Sequence, residues 1–87
     1  MSIGYLLAKP LQFCPDDQLV KTLRACKLSA LASVQAEYPG ARFGISTDHS
    51  DRPKGCYFSL STEKLYFNTH NTGKLDHDLL QVCQKGT

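Results

Sequence analysis

The stretch Arg52–Gly73, RPKGCYFSLSTEKLYFNTHNTG, constrains this chain most, because it reads as one β-hairpin with little freedom of register. Two aromatic and apolar runs, Cys56–Leu60 and Leu65–Thr69, flank the polar loop Ser61-Thr62-Glu63-Lys64, a length that a type I turn closes. Pairing outward from that loop sets Leu60 against Leu65, Phe58 against Phe67 and Cys56 against Thr69. Side chains alternate faces along a strand, so these six form one apolar face, and a slip of one residue would break it. The opposite face carries Tyr57, Ser59, Tyr66 and Asn68. Pro53-Lys54-Gly55 turns the chain into the hairpin, with proline fixing φ, and Asn71-Thr72-Gly73 turns it out.

These residues also carry a resemblance. The run PKGCYFS, a polar spacer, LYFNTHNTG and a later Val-Cys pair resemble a small cysteine-containing module found in predicted proteins of marine unicellular algae and other protists. The matching positions are Cys26, Pro53, Gly55, Cys56, Tyr57, Tyr66, Phe67, Asn68, Thr69, His70, Gly73, Val82 and Cys83, within roughly residues 20 to 85. The resemblance implies a non-cytosolic, disulfide-bearing module with no catalytic residues and no established activity. This chain departs from the pattern in having Cys14 and in lacking further C-terminal cysteines.

With 87 residues, the chain suffices for one domain, 1–87, whose small core wants a staple. The four cysteines are an even number, which points to disulfides, with free thiols or a metal as alternatives. Eleven residues separate Cys14 from Cys26, twenty-nine lie before Cys56 and twenty-six before Cys83. No C-x-x-C occurs, which speaks against a zinc ribbon or a thioredoxin-type site. Disulfides need an oxidising compartment, an organelle lumen or the exterior. The opening Met-Ser-Ile-Gly-Tyr-Leu-Leu-Ala lacks the basic residue and long apolar run of a secretory signal. Either a leader has been removed, or the chain is cut from a larger one, or the thiols are reduced. A net charge of +2, with acids and bases interspersed, argues against a nucleic-acid footprint. No run is long enough to span a membrane.

Residues 1–15 read as an extended arm. Ile3 to Ala8 is either a first strand or a segment laid on a partner. Pro10 and Pro15 bracket Leu11 to Cys14, and Cys14 would tether the arm. Asp16 and Asp17 read as the N-cap of a long helix over 16–37, since carboxylates satisfy the orphan N–H groups there. Leu19, Leu23, Cys26, Ala30 and Val34 fall on one helical stripe, widened by Val20 and Leu31, while Leu28 points away. Pro39 and Gly40 end the helix. Residues 41–47 read as a strand with Phe43 and Ile45 on one face. The closing segment 74–84 is ambiguous, a helical turn at Asp76–Leu80 or a short strand at Gln81–Cys83.

The expected fold is therefore α+β: one long N-terminal helix packed on a small antiparallel sheet that contains the hairpin (56–69), with disulfide staples. The helix stripe and the apolar hairpin face would cover each other. Cys26 and Cys56 would then meet in the core, which leaves Cys14 and Cys83 to join the two ends, each closure contributing roughly 2–4 kcal/mol. The connectivity itself is not written in the spacing.

No constellation of chemistry stands out. The histidines sit in Asp48-His49-Ser50-Asp51, Thr69-His70-Asn71 and Asp76-His77-Asp78, with no helical metal-ligand spacing. No nucleophile motif frames the serines or cysteines, so we expect no catalytic residue, no metal and no cofactor. His70 with Asn68 is the least poor catalytic pair, yet Asn-Thr-His beside a turn suits hydrogen bonding to its own backbone. The run Lys54–Leu60 faintly resembles the aromatic strand of an RNA-recognition motif. The match fails where cysteine replaces a stacking aromatic and where a second long helix is missing. Tyr57 and Tyr66, with Asn68 alongside, form a candidate partner-binding or glycan-binding face, unless the N-terminal segment or the Phe43 strand covers them. The expected role is a non-catalytic protein-interaction or structural module. One version is an accessory subunit bound to other protein subunits, in a photosynthetic or other organellar complex by analogy, which the extended arm favours. The alternative is a secreted or surface module that binds a ligand or glycan.

Overall fold

A computed structural model describes residues 4–8, 11–70, 73–74 and 78–84, without the side chain of residue 16. The fold is α+β. Five strands, β1 (Tyr5–Leu7), β2 (Arg42–Thr47), β3 (Gly55–Ser59), β4 (Lys64–Asn68) and β5 (Leu79–Gln84), form one sheet in the order β1-β5-β3-β4-β2. One helix, α1, packs on it; α1 joins Leu23–Ala25, a π-helical stretch Cys26–Ala30 and Leu31–Glu37.

The hairpin is β3–β4, but its register differs from the expected one. Ser59 pairs with Lys64, Phe58 with Leu65, Tyr57 with Tyr66, Cys56 with Phe67 and Gly55 with Asn68. Relative to the expected pairing, one strand has slid by two residues. A slide of two keeps every side chain on its face, whereas a slide of one would invert them. Cys56, Phe58, Leu65 and Phe67 thus still share the core face. The loop becomes Leu60 to Glu63, closed by the Glu63 N–H donating to the Ser59 carbonyl at 2.8 Å with Glu63 at φ 55°. Leu60 leaves the ladder and is 36 % exposed.

The helix is 15 residues long, not plainly a long one. Asp16–Gln18 makes a single 3-10 turn, and Leu19 then bridges Cys83 of β5. The helix starts only at Leu23, where the Thr22 side chain accepts from the Ala25 N–H at 3.1 Å. The acidic pair lost this contest because Cys14, bonded to Cys83, holds the preceding chain against β5. A helix begun at Asp16 could not also lay Leu19 along that strand. Cys26, Ala30 and Val34, spaced by four, are buried toward the sheet, while Leu23 is 41 % exposed. After Glu37, Tyr38 turns extended, and Gln35 Nε2 donates to the Ala41 carbonyl at 2.8 Å across the Pro39-Gly40 turn.

The sheet is mixed rather than antiparallel. β2 runs parallel to β4, and one extra residue sits on β2 between the Phe43–Leu65 and Ser46–Phe67 pairs. That bulge turns Ile45 out of the Phe43 face, and Ile45 is 63 % exposed. The closing segment is a strand, β5, antiparallel to both β1 and β3. It lies inside the sheet, so Leu80 and Val82 are buried on the helix side. The positions expected to begin a helical turn, Asp76 and His77, lie outside the described residues. Tyr5–Leu7 forms a first strand that pairs with β5 at one edge of the chain's own sheet.

Two disulfides close, and they pin opposite faces of the sheet. Cys26–Cys56 joins α1 to β3 in the core, where both residues are fully buried. Cys14–Cys83 joins the N-terminal segment to the outer face of β5. On that outer face, buried Gln81 accepts from the Cys14 N–H and donates through Nε2 to the Lys54 carbonyl at 2.8 Å. The chain returns to β3 at Gly55 with φ 76°, where a Cβ would also lie 3.1 Å from the Val20 carbonyl oxygen. We expect Gly55→Ala to cost about 1–3 kcal/mol, from the positive φ and the close approach together, read from the urea midpoint. An unchanged midpoint would show that the backbone relaxes there.

Candidate functional site

The face expected to bind a partner, Tyr57, Tyr66 and Asn68, is where the structure differs most from the sequence reading. Tyr57 is 0 % exposed and Asn68 is buried. The Phe43 strand supplies part of the cover, over Tyr66. The β2–β3 connection folds back over this face, drawn down by one amide. Asn68 Nδ2 donates to the carbonyls of His49 (2.7 Å), Arg52 (3.2 Å) and Pro53 (3.1 Å). Asn68 Oδ1 accepts from the His49 N–H (3.0 Å) and the His70 N–H (3.2 Å). Pro53 is thereby fully buried.

Tyr57 and Tyr66 are direct register partners and stack, ring centroids 5.3 Å apart and 25° between planes. A Cβ on Gly44 would stand 2.6 Å from the Tyr66 ring, so the β2 backbone closes on that ring too. A sugar or base therefore has no open tyrosine face here. Tyr66 as a whole is half-buried, and its hydroxyl lies 3.2 Å from Thr62 Oγ1. The Tyr57 hydroxyl and Thr47 Oγ1 are buried without a hydrogen-bond partner among the described residues. The Tyr57/Phe58 stacking platform that RNA binding would require is likewise internal, because both rings are fully buried.

The two described histidines, His49 and His70, meet through their backbones at Asn68. His49 is exposed and tied through its backbone to Asn68. His70 is half-buried, its N–H also taken by Asn68, and His77 lies outside the described residues. Among the described residues, no group of three His, Cys, Asp or Glu side chains gathers.

Three surface features remain. The first is a groove of about 330 Å³ with a floor of Leu19, Val20 and Phe67 and a rim of Lys21, Lys54 and His70. The second is a polar cavity of about 380 Å³ beside the edge of Tyr66, bordered by Arg52, Ser59, Ser61, Thr62 and Asp78. The third is an apolar patch around the outer disulfide. Leu6 is the register partner of Cys83 and shares its face, Cys14 is bonded to Cys83, and Phe13 precedes Cys14. Leu6, Leu11 and Phe13 are all exposed, Phe13 by 60 %. Sequence reasoning treated residues 1–15 as an arm and missed this patch. Its signal was present in the apolar residues Leu11 and Phe13 close before a cysteine, but the partner strand that gives it a rigid base could not be read. Among the described residues, no helix is long and apolar enough to cross a membrane.

No protein-family model, no curated protein and no solved structure matches this chain.

Proposed function

We propose that this chain is a non-catalytic protein-interaction or structural module, a small accessory subunit that docks on a larger protein assembly in an oxidising compartment. The observation that carries this reading is the exposure of Leu6 and Phe13 beside the Cys14–Cys83 bond, with Leu11 exposed on the same N-terminal segment. A single exposed apolar side chain needs no explanation. Here Phe13 adjoins Cys14, which a disulfide and the Gln81 hydrogen bond hold, and Leu6 lies on a strand paired with Cys83, so the anchor is pre-ordered and its ordering cost already met in folding. Aromatic anchors of this kind dominate protein interfaces. The two closed disulfides support an oxidising environment, since reducing compartments keep such thiols free. The resemblance to algal and protist modules points the same way, and extends to an organelle lumen or a photosynthetic complex by analogy alone.

The test is the native size of the protein taken gently from its source, with mass spectrometry of what co-migrates. We expect migration well above its own mass, and expect Phe13→Asp to release the chain from the assembly while shifting stability by no more than about 0.5 kcal/mol. Migration alone, at its own mass, sinks the accessory reading. The alternative, a secreted or surface ligand- or glycan-binding module, would then lead. The polar cavity beside Tyr66, with its hydroxyls of Ser59, Ser61 and Thr62, is the observation that favours it.

A further inference from the structure

The groove of Leu19, Val20 and Phe67 shares no lining residue with the proposed docking patch and has its own chemistry. We propose that it binds a small organic anion with an apolar body, a short aliphatic or aromatic carboxylate. Its volume, about 330 Å³, stands at the lower end of the range of ligand sites, about 300–1,000 Å³. The floor is apolar: Val20 and Phe67 are core side chains that reach the groove from below. The rim is cationic. Lys21 and Lys54 border it, and among the described residues no Asp or Glu does. Among the described residues, the ion pair formed is Arg52–Asp51 at 4.0 Å, which leaves both groove lysines without a carboxylate partner.

Both lysines are mounted on backbone that the fold holds firmly. Lys54 gives its carbonyl to Gln81 Nε2, and Pro53 before it gives its carbonyl to Asn68. Lys21 follows buried Val20, whose neighbour Leu19 bridges Cys83. The two cations therefore approach one apolar floor from two separately anchored segments, and ligand binding need not order either segment. An apolar floor under a cationic rim selects an amphiphilic anion: the body displaces water from half-buried Leu19 and the accessible edge of Phe67 while the carboxylate stays at the rim with the two ammonium groups. A purely ionic ligand gains nothing from the floor, and a neutral one gains nothing from the rim.

The experiment is an amide-resolved NMR titration of the oxidised full chain with sodium hexanoate and sodium benzoate, set against hexanol and benzyl alcohol. We expect saturable shifts at Lys21, Gly55 and Thr69 with millimolar affinity for the carboxylates. The alcohols, and the Lys21→Ala/Lys54→Ala variant with the carboxylates, should bind roughly five- to tenfold more weakly, as two partly screened charge contacts allow. Lys21→Glu/Lys54→Glu should abolish carboxylate binding and leave alcohol binding unchanged. Both lysines are exposed, so these variants keep the fold, which the same spectra verify. The proposal is overturned if no saturable shift occurs at these residues. It is equally overturned if alcohols match carboxylates, or if neither lysine variant alters carboxylate affinity.

Discussion

Reduction of both disulfides is expected to unfold this chain. Cys26–Cys56 spans a sequence separation of 30 and Cys14–Cys83 one of 69. In the chain-entropy account, closing loops of these lengths removes roughly 3.6 and 4.4 kcal/mol of freedom from the unfolded state. Their sum, about 8 kcal/mol, is comparable with the whole net stability of an ordinary domain, about 5–15 kcal/mol. The core is too small to absorb that loss. Cys26 and Cys56 are also fully buried core members that join α1 to β3, so their separation opens the helix from the sheet. We expect a cooperative urea transition for the oxidised protein and none for the reduced, alkylated one at 25 °C. Paired alanine variants should each lower stability by about 3–4 kcal/mol, the inner pair losing packing as well. A reduced chain that keeps a cooperative transition would show that the core alone specifies the fold.

The second large effect is expected at Asn68. One buried amide ties three backbone carbonyls and two N–H groups from residues 49–53 and 70 to the end of β4. Asn68→Ala removes both halves at once and strands polar groups in a partly buried region. We expect a loss of about 3 kcal/mol, since each orphaned buried group costs on the order of 1–3 kcal/mol and some regain water. Asn68→Asp should be at least as damaging, because a carboxylate places a negative oxygen where three carbonyls converge and offers no donor. Urea midpoints give the energies, and hydrogen exchange at the His49 amide reports whether the covering loop has opened. A loss below about 1 kcal/mol, with His49 still protected, would mean the loop is held by other contacts.

The hairpin itself was legible, because two aromatic runs around a polar turn allow few other solutions. The expected register was off by two residues for a local reason: Glu63 accepts a positive φ, which no residue preference announces. The helix was legible in its second half and not in its first. Asp16 and Asp17 are good caps, but the covalent hold of Cys14 on Cys83 places Leu19 along β5 and moves the start to Thr22. The Tyr57/Tyr66/Asn68 face was misread for a different reason. Aromatic and amide side chains look alike whether they meet a partner protein or the chain's own loop, and the loop that covers them carries no apolar pattern of its own. Its grip is backbone hydrogen bonding to Asn68, which any sequence of that length could offer.

The sequence by itself determined which side chains share a face, because the periods of two and of nearly four follow from backbone geometry and survive any choice of partner. It thereby brought Cys26 and Cys56 into one core. Only the tertiary structure decided which strands are neighbours, that β2 runs parallel to β4, that β5 lies inside the sheet, and which polar side chains are buried. Those outcomes depend on contacts between residues far apart in the chain. Such contacts compete with local preferences of a kcal/mol or less and win by burying whole faces and closing covalent bonds.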